Sequence, residues 1–88
     1  MESYDIRFKP SVEKDLRRLP GQVVQRIMER IEALGAAPLG RGATKLSGSK
    51  ALYRVRVGRY RIVYEVDSAD GQVIVHYVRH RRDAYRTL

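Results

Sequence analysis

Residues 52–66 read LYRVRVGRYRIVYEV, and this stretch decides the fold of the chain. Aromatic and apolar side chains occupy every second position in both of its halves, which is the period of a β-strand with one buried face. Gly58 and Arg59 lie between the halves and form a two-residue turn signal. The stretch therefore predicts a β-hairpin.

The turn also predicts which side chains of the hairpin lie opposite each other. A type II′ turn prefers glycine at its first central position, so Val57 should pair with Tyr60. This register places Arg56 directly opposite Arg61, and Arg54 shares their face of the sheet. Because like charges opposite one another destabilise a pair of strands, the cluster indicates an anionic ligand rather than a role in folding.

The composition also favours an anionic partner. The 88 residues include 18 lysines and arginines against 10 aspartates and glutamates, for a formal net charge of +8. The arginines gather in 54–61 and again in 79–86. A guanidinium binds phosphate through two parallel hydrogen bonds and stays charged at any biological pH, so this bias favours phosphate recognition. A solvated basic surface is the alternative interpretation.

Length and residue types limit the class of protein. We expect a single domain, residues 1–88, with one modest core. The absence of cysteine excludes disulfides and thiolate metal sites and fits a reducing, cytoplasmic location. The first residues lack the basic and apolar regions of a secretory signal, and no apolar run reaches membrane-spanning length, so we expect no membrane association.

The rest of the chain predicts two helices and two further strands. Apolar stripes indicate the helices, with Pro10 at the start of the first, and alternating or β-branched runs indicate the strands. The predicted order is strand 3–9, a helix from Pro10 that ends before Pro20-Gly21, a second helix with its stripe over 24–34 that ends at Gly35, loop 36–50, hairpin 52–66, strand 73–78 and a short tail. This order predicts an α+β fold, β-α-α-β-β-β, in which a helical hairpin packs on one face of a small antiparallel sheet.

The usual chemical motifs are missing from the sequence. His76 and His80 are four residues apart on or near a predicted strand, and without clustered carboxylates they make a poor metal site. The glycines of the 36–50 loop precede a strand rather than a helix, so they do not form a phosphate-binding loop of the P-loop or dinucleotide type. We expect no metal, no cofactor and no acyl-transfer triad.

Several segments together resemble a known family. They are the first helix region 9–20, the pair Lys45-Leu46, the hairpin 53–64, the strand 73–78 and the tail His80-Arg-Arg-Asp-Ala-Tyr85. Over nearly the whole chain they resemble the RelE branch of the RelE/ParE toxin superfamily. The resemblance implies a type II toxin that cuts messenger RNA in the ribosomal A site. It also implies an acidic, RelB-like antitoxin that binds and inhibits the toxin.

The resemblance implies a set of catalytic residues: Arg54, Arg56, Arg61, Arg81 and Tyr85. RNA can be cut without metal when its own 2′-hydroxyl attacks the adjacent phosphate, if the protein stabilises the added negative charge and moves two protons. By resemblance, Arg61 binds the phosphate and Arg81 acts near the leaving 5′-oxygen. Tyr85 acts near the attacking hydroxyl or stacks on a base, and packing of the tail onto the sheet is the alternative role for this residue. Some relatives have lysines at positions 54 and 56, and since arginine hardly deprotonates, Tyr85 and His80 are the candidates for the general base.

Further cations are expected to contact RNA: Lys45, Arg59, Arg79, His80, Arg82 and Arg86. For Arg82 and Arg86, a carboxylate of the antitoxin is an alternative partner. Glu65 lies diagonal to Arg54 in the predicted register, so we expect these two residues to form an ion pair.

Two other functions are compatible with this sequence. A ParE-like toxin shares the fold but binds DNA gyrase and lacks nuclease chemistry, and the presence of Arg61, Arg81 and Tyr85 argues against it. A non-enzymatic module would bind RNA in a salt-dependent way without cutting it.

Overall fold

The computed structural model describes residues 3–40, 42–46 and 51–81. The elements follow in the order β1 (Asp5–Phe8), α1 (Pro10–Arg17), α2 (Gly21–Ala36), β2 (Thr44–Lys45), β3 (Leu52–Val57), β4 (Tyr60–Asp67) and β5 (Gln72–His80). The five strands form one sheet in the spatial order β1-β5-β4-β3-β2. The predicted α+β class, with two helices packed on a sheet, is confirmed. Among the described residues, no helix is long and apolar enough to cross a membrane.

The hairpin of β3 and β4 has the register that its turn predicted. Gly58 has a φ of 59°, a left-handed conformation that glycine adopts at little cost, and Arg59 does not have a positive φ. This combination matches a type II′ turn. Val57 pairs with Tyr60, and the pairing continues along both strands.

The sheet is mixed, whereas the sequence predicted an antiparallel one. β1 runs parallel to β5, with Ile6 opposite Val73. A parallel pair needs a long crossover, and most of the chain lies between these two strands. A second difference is β2, a two-residue strand inside the predicted loop 36–50, where Lys45 pairs with Tyr53. Both pairings depend on partner strands rather than on local periodicity.

The ends of several elements differ from the prediction by a few residues. α1 ends at Arg17, before the predicted Leu19, and α2 begins at Gly21, before Val24. β5 continues through His80, beyond the apolar run that predicted it. Helix ends fray, and a strand continues wherever a neighbour accepts its hydrogen bonds, so composition alone does not set these limits.

The core lies between the helices and one face of the sheet. Ile27, Ile31 and Leu34 of α2 are fully buried, and their spacing places them on one stripe of the helix. They pack against apolar side chains of the central strands, among which Tyr64 and Ile62 are the largest buried ones. The opposite face of the sheet is covered by neither described helix.

Candidate functional site

Three arginines form a row across the face of the sheet opposite the helices. Arg61 in β4 pairs with Arg56 in β3 on one side and with Arg79 in β5 on the other. Paired residues of neighbouring strands project to the same face, so the three guanidinium groups share one surface. The predicted juxtaposition of Arg56 and Arg61 is confirmed, and Arg79 extends it by one strand.

Arg61, at the centre of this row, is only 6% exposed. Among the described residues it is the one charged side chain that is buried. A guanidinium keeps its proton at biological pH, so burial holds a full positive charge in a poorly solvated position. An anion that reaches this point meets a cation already fixed in place.

A cavity of about 70 Å³ opens beside Arg61. Its lining consists of Arg56, Gly58, Arg59, Tyr60, Arg61 and Arg81. The backbone N–H of Arg81 donates a 2.7 Å hydrogen bond to the carbonyl oxygen of Arg59, which holds the end of β5 against the hairpin turn. A water-sized group needs roughly 10–15 Å³ of such space, so the cavity has room for the oxygens of one phosphate.

Arg79 is held over an aromatic ring instead of lining this cavity. Its guanidinium carbon lies 4.5 Å from the centre of the Tyr77 ring. This cation–π contact fixes the side chain on the face that it shares with Arg61. Arg79 therefore adds to the positive potential around the cavity from a short distance away.

The structure separates other predicted site residues from this cavity. Arg54 lines a neighbouring pocket, and Lys45 is exposed in β2. His80 pairs with Tyr60, and their rings make an edge-to-face contact with centres 5.4 Å apart. Tyr60 packs against the core, so His80 lies across the sheet from the arginine row. The remaining predicted residues lie outside the described parts of the chain: Arg82, Tyr85 and Arg86.

The predicted ion pair between Glu65 and Arg54 is wrong. Glu65 Oε1 lies 2.9 Å from Nε2 of His76 in β5. The pairing of β4 with β5 skips His76 because the register shifts between Val63 and Tyr64, and such a bulge redirects a side chain. In the described parts of the chain, no group of three or more acidic, histidine or cysteine side chains is placed to hold a metal ion.

Arg30 of α2 also reaches the edge of this surface, which the sequence did not predict. It lines a pocket together with Arg54 and Arg56 of β3. Arg30 lies three residues after Ile27 and four before Leu34, beside the buried stripe of the helix. The sequence signal for Arg30 is its position beside the apolar stripe of α2.

Comparison with known proteins assigns the family. The sequence profile of the ParE toxin of type II toxin–antitoxin systems (parDE) matches residues 6–85. Over 84 residues the chain is 30% identical to Toxin RelG of Mycobacterium tuberculosis, and the match covers 94% of this chain and 97% of that toxin. The chain belongs to the RelE/ParE toxin superfamily, on its RelE-like branch.

Solved structures share the fold of this RelE-like toxin. The toxin–antitoxin complex RelBE2 of Mycobacterium tuberculosis matches with a TM-score of 0.82 and 29% identity, over 92% of this chain and 94% of the solved one. The archaeal RelE–RelB complex of Pyrococcus horikoshii OT3 matches with a TM-score of 0.80 and 30% identity, over 90% and 96% of the two chains. The RelE-like toxin therefore has the fold that the resemblance implied.

Proposed function

We propose that this RelE-like toxin is an endoribonuclease that cuts messenger RNA in the A site of cytoplasmic ribosomes. The observation that carries the proposal is the phosphate-sized cavity beside the buried Arg61, which Arg56 and Arg81 also line. Fixed cations around such a space stabilise the negative charge that develops on a phosphate during its displacement. The ribosomal substrate is inferred from the family resemblance.

The reaction that suits these side chains is an internal displacement. The 2′-hydroxyl oxygen of the RNA attacks the adjacent phosphorus as its proton is removed, and the bond from phosphorus to the 5′-oxygen breaks. The products are a cyclic phosphate and a 5′-hydroxyl, which takes up a proton as it leaves. We assign stabilisation of the phosphate charge to Arg61 and Arg56, and contact with the leaving oxygen to Arg81.

Tyr85 is our candidate for the group that accepts the proton from the 2′-hydroxyl. The arginines do not suit this role because a guanidinium hardly deprotonates. His80 contacts Tyr60 on the helix-packed side of the sheet, away from Arg61. The family resemblance puts Tyr85 near the attacking hydroxyl, and a phenol can accept and return a proton, so Tyr85 is our choice for the base.

A RelB-like antitoxin is the partner that we assign to this toxin. Two of the solved relatives are toxin–antitoxin complexes, RelBE2 of Mycobacterium tuberculosis and RelE–RelB of Pyrococcus horikoshii OT3. Arg56, Arg61 and Arg79 form a basic row on this face of the sheet, on a chain whose net charge is +8. A segment rich in Asp and Glu that orders on binding neutralises such a face over a large area.

Replacing the cavity arginines tests the nuclease assignment. We expect Arg61→Gln and Arg81→Gln to slow cleavage by on the order of a hundredfold, because each removes a fixed cation from the charge-developing centre. Arg81 is exposed, so its replacement leaves the core intact. Single-turnover cleavage on programmed ribosomes, mapped by primer extension, gives the rates, and thermal melts report folding. Arg18→Gln is the matched control, because it removes the same charge at the exposed end of α1.

The outcomes of this experiment separate the candidate functions. Wild-type rates in the folded Arg61 and Arg81 variants would remove the proposed site. A wild-type protein that inhibits DNA gyrase and cuts no RNA would be a ParE-like toxin. RNA binding without either activity would identify a binding module. Tyr85→Phe keeps the ring and removes its proton, so a large loss of rate identifies acid–base chemistry and a small loss identifies stacking.

A further inference from the structure

A second basic pocket lies where β2 and β3 form one edge of the sheet, next to the cavity beside Arg61. It encloses about 310 Å³, and its described lining is Arg30, Gly42, Thr44, Arg54 and Arg56. This volume is at the lower end of the range for small-ligand sites. Three guanidinium groups and a hydroxyl surround it, and no carboxylate is among the described residues that line it.

Arg54 brings an unsatisfied donor to this edge pocket. Its Nη1 atom is buried and has no hydrogen-bond partner among the described residues. The expected partner, Glu65, is bound to His76 instead. A buried charged donor without an acceptor is unfavourable, and an anion in the pocket would offset the positive charge of this side chain.

Gly42 gives Arg30 the room to reach the pocket. Gly42 has a φ of 89°, and a Cβ atom at this position would lie 3.2 Å from Nη2 of Arg30. Any other residue would therefore strain the backbone and crowd the guanidinium. The loop before β2 thus lets the helix contribute a cation to a site otherwise built by strands.

Arg56 lines both the edge pocket and the cavity beside Arg61. Anions in the two spaces would therefore flank one guanidinium. A nucleic acid strand carries a phosphate at every nucleotide, so one strand can fill both spaces with phosphates. Arginine also binds phosphate through two hydrogen bonds at once.

We infer that the edge pocket binds a second phosphate of the RNA strand whose neighbouring phosphate occupies the cavity beside Arg61. This inference rests on the proposed nuclease function and adds Arg30 to the residues that hold the substrate. The subsite would position the strand, since a backbone held at two phosphates is fixed along its length as well as at the scissile bond. Arg30 would contact no reacting atom, so it is a positioning residue.

The salt dependence of RNA binding tests this subsite. The probe is a fluorescein-labelled RNA hexanucleotide whose 2′-hydroxyls are all methylated, so that it cannot be cut. For single strands, each neutralised phosphate contributes about 0.7 to the slope of log K against log salt. We expect Arg30→Gln to lower the slope by about 0.7 and the affinity at low salt by on the order of tenfold. Arg18→Gln, the matched surface control, should leave both unchanged.

Two further variants keep the test decisive if Arg30→Gln folds poorly. Arg30→Lys keeps the charge but loses the bidentate hydrogen bonding of a guanidinium. This variant should therefore retain the salt dependence of RNA binding but bind RNA more weakly. Thr44→Val removes the hydroxyl from the pocket and should weaken binding without changing the slope. Unchanged affinity in both of these variants would overturn the subsite.

Other outcomes separate the subsite from its alternatives. An Arg30→Gln protein that is folded and binds RNA with wild-type slope and affinity overturns the inference. So does an Arg30→Gln protein that loses affinity for an Asp- and Glu-rich antitoxin peptide alone, which would make the pocket a protein contact. Wild-type cleavage on programmed ribosomes is measured in parallel. Its absence would contradict the nuclease function while leaving the binding slopes to decide the subsite.

Discussion

Tyr64 links the core to the basic edge of the sheet. Its ring is fully buried and stacks on Tyr53 with centres 5.9 Å apart, and its hydroxyl donates a 2.6 Å hydrogen bond to the carbonyl oxygen of Pro38. Burial raises the pKa of Tyr64 to about 12, although the positive charge of Arg30 acts in the opposite direction. The folded protein therefore holds this phenol neutral.

The stability of the fold should fall as pH rises from about 10 to about 12. The pKa of tyrosine in an unfolded chain is about 10, so between about pH 10 and 12 the phenol ionises more readily in the unfolded chain, which favours unfolding. Below about pH 10 the stabilisation that the neutral Tyr64 gives to the folded state is fully present. A two-unit difference corresponds to at most about 2–3 kcal/mol in the free energy of unfolding. Urea unfolding between about pH 8 and pH 11.5 measures the decline. Tyr64→Phe should be about 1 kcal/mol less stable at pH 8 but decline less steeply, and parallel curves would contradict the assignment.

For single residues, the sequence predicts those contacts that an adjacent turn determines. The placement of Arg56 opposite Arg61 followed from the Gly58 turn and is confirmed. The burial of Arg61 and the pairing of Glu65 with His76 were not predicted. Burial depends on everything that surrounds a side chain, and the Glu65 contact depends on a bulge in β5 that no local pattern encodes.

α1 protects the part of β5 that β1 leaves unpaired. β1 ends at Phe8, and α1 then runs beside the same edge of β5. The backbone N–H of Val78 donates a 3.1 Å hydrogen bond to Asp15 Oδ2, and Ser11 Oγ donates one of 3.2 Å to the carbonyl oxygen of His76. Side chains of a helix thus replace a neighbouring strand, which satisfies backbone groups that otherwise attract another chain.

Asp15→Ala should therefore destabilise the fold by about 1–2 kcal/mol, because it leaves the Val78 N–H without its charged acceptor. Glu13→Ala is the matched control on the same helix. Glu13 bonds Arg17 at 2.7 Å, but both side chains are 72% exposed, so its loss should cost less than about 0.5 kcal/mol. Urea unfolding compares the two variants, and hydrogen exchange at Val78 reports the edge directly. Equal stability losses, or unchanged exchange in Asp15→Ala, would refute this role for α1.

Elements held by local rules were predictable, and those held by distant partners were not. The hairpin and the two helices carry their own turn, period and start signals, and all three occur close to the predicted bounds. The parallel pairing of β1 with β5 joins segments at opposite ends of the described chain, and β2 exists only because β3 accepts it. The edge pocket depends on β2 and on Arg30 together, so it followed from no local motif.

The molecule as a whole carries a net charge of +8, and its described surface concentrates part of this charge on one face and one edge. An excess of like charge opposes compaction, and it attracts polyanions from a distance. RNA and an acidic antitoxin would compete for the same positively charged surface. If the proposed function holds, direct coverage of the arginine row would be enough to inhibit the toxin without any change in its fold.

We therefore expect a cognate RelB-like antitoxin to abolish cleavage by covering Arg56, Arg61 and Arg79. Its association rate should fall steeply with ionic strength, since opposite net charges steer the encounter. Arg56→Gln and Arg79→Gln should each slow association, whereas Arg18→Gln should do so only slightly. Stopped-flow mixing at several salt concentrations measures the rates, and hydrogen exchange of the complex maps the covered strands. Protection remote from 54–61 and 79–81, with the arginine face still accessible to RNA, would show that inhibition works by another route.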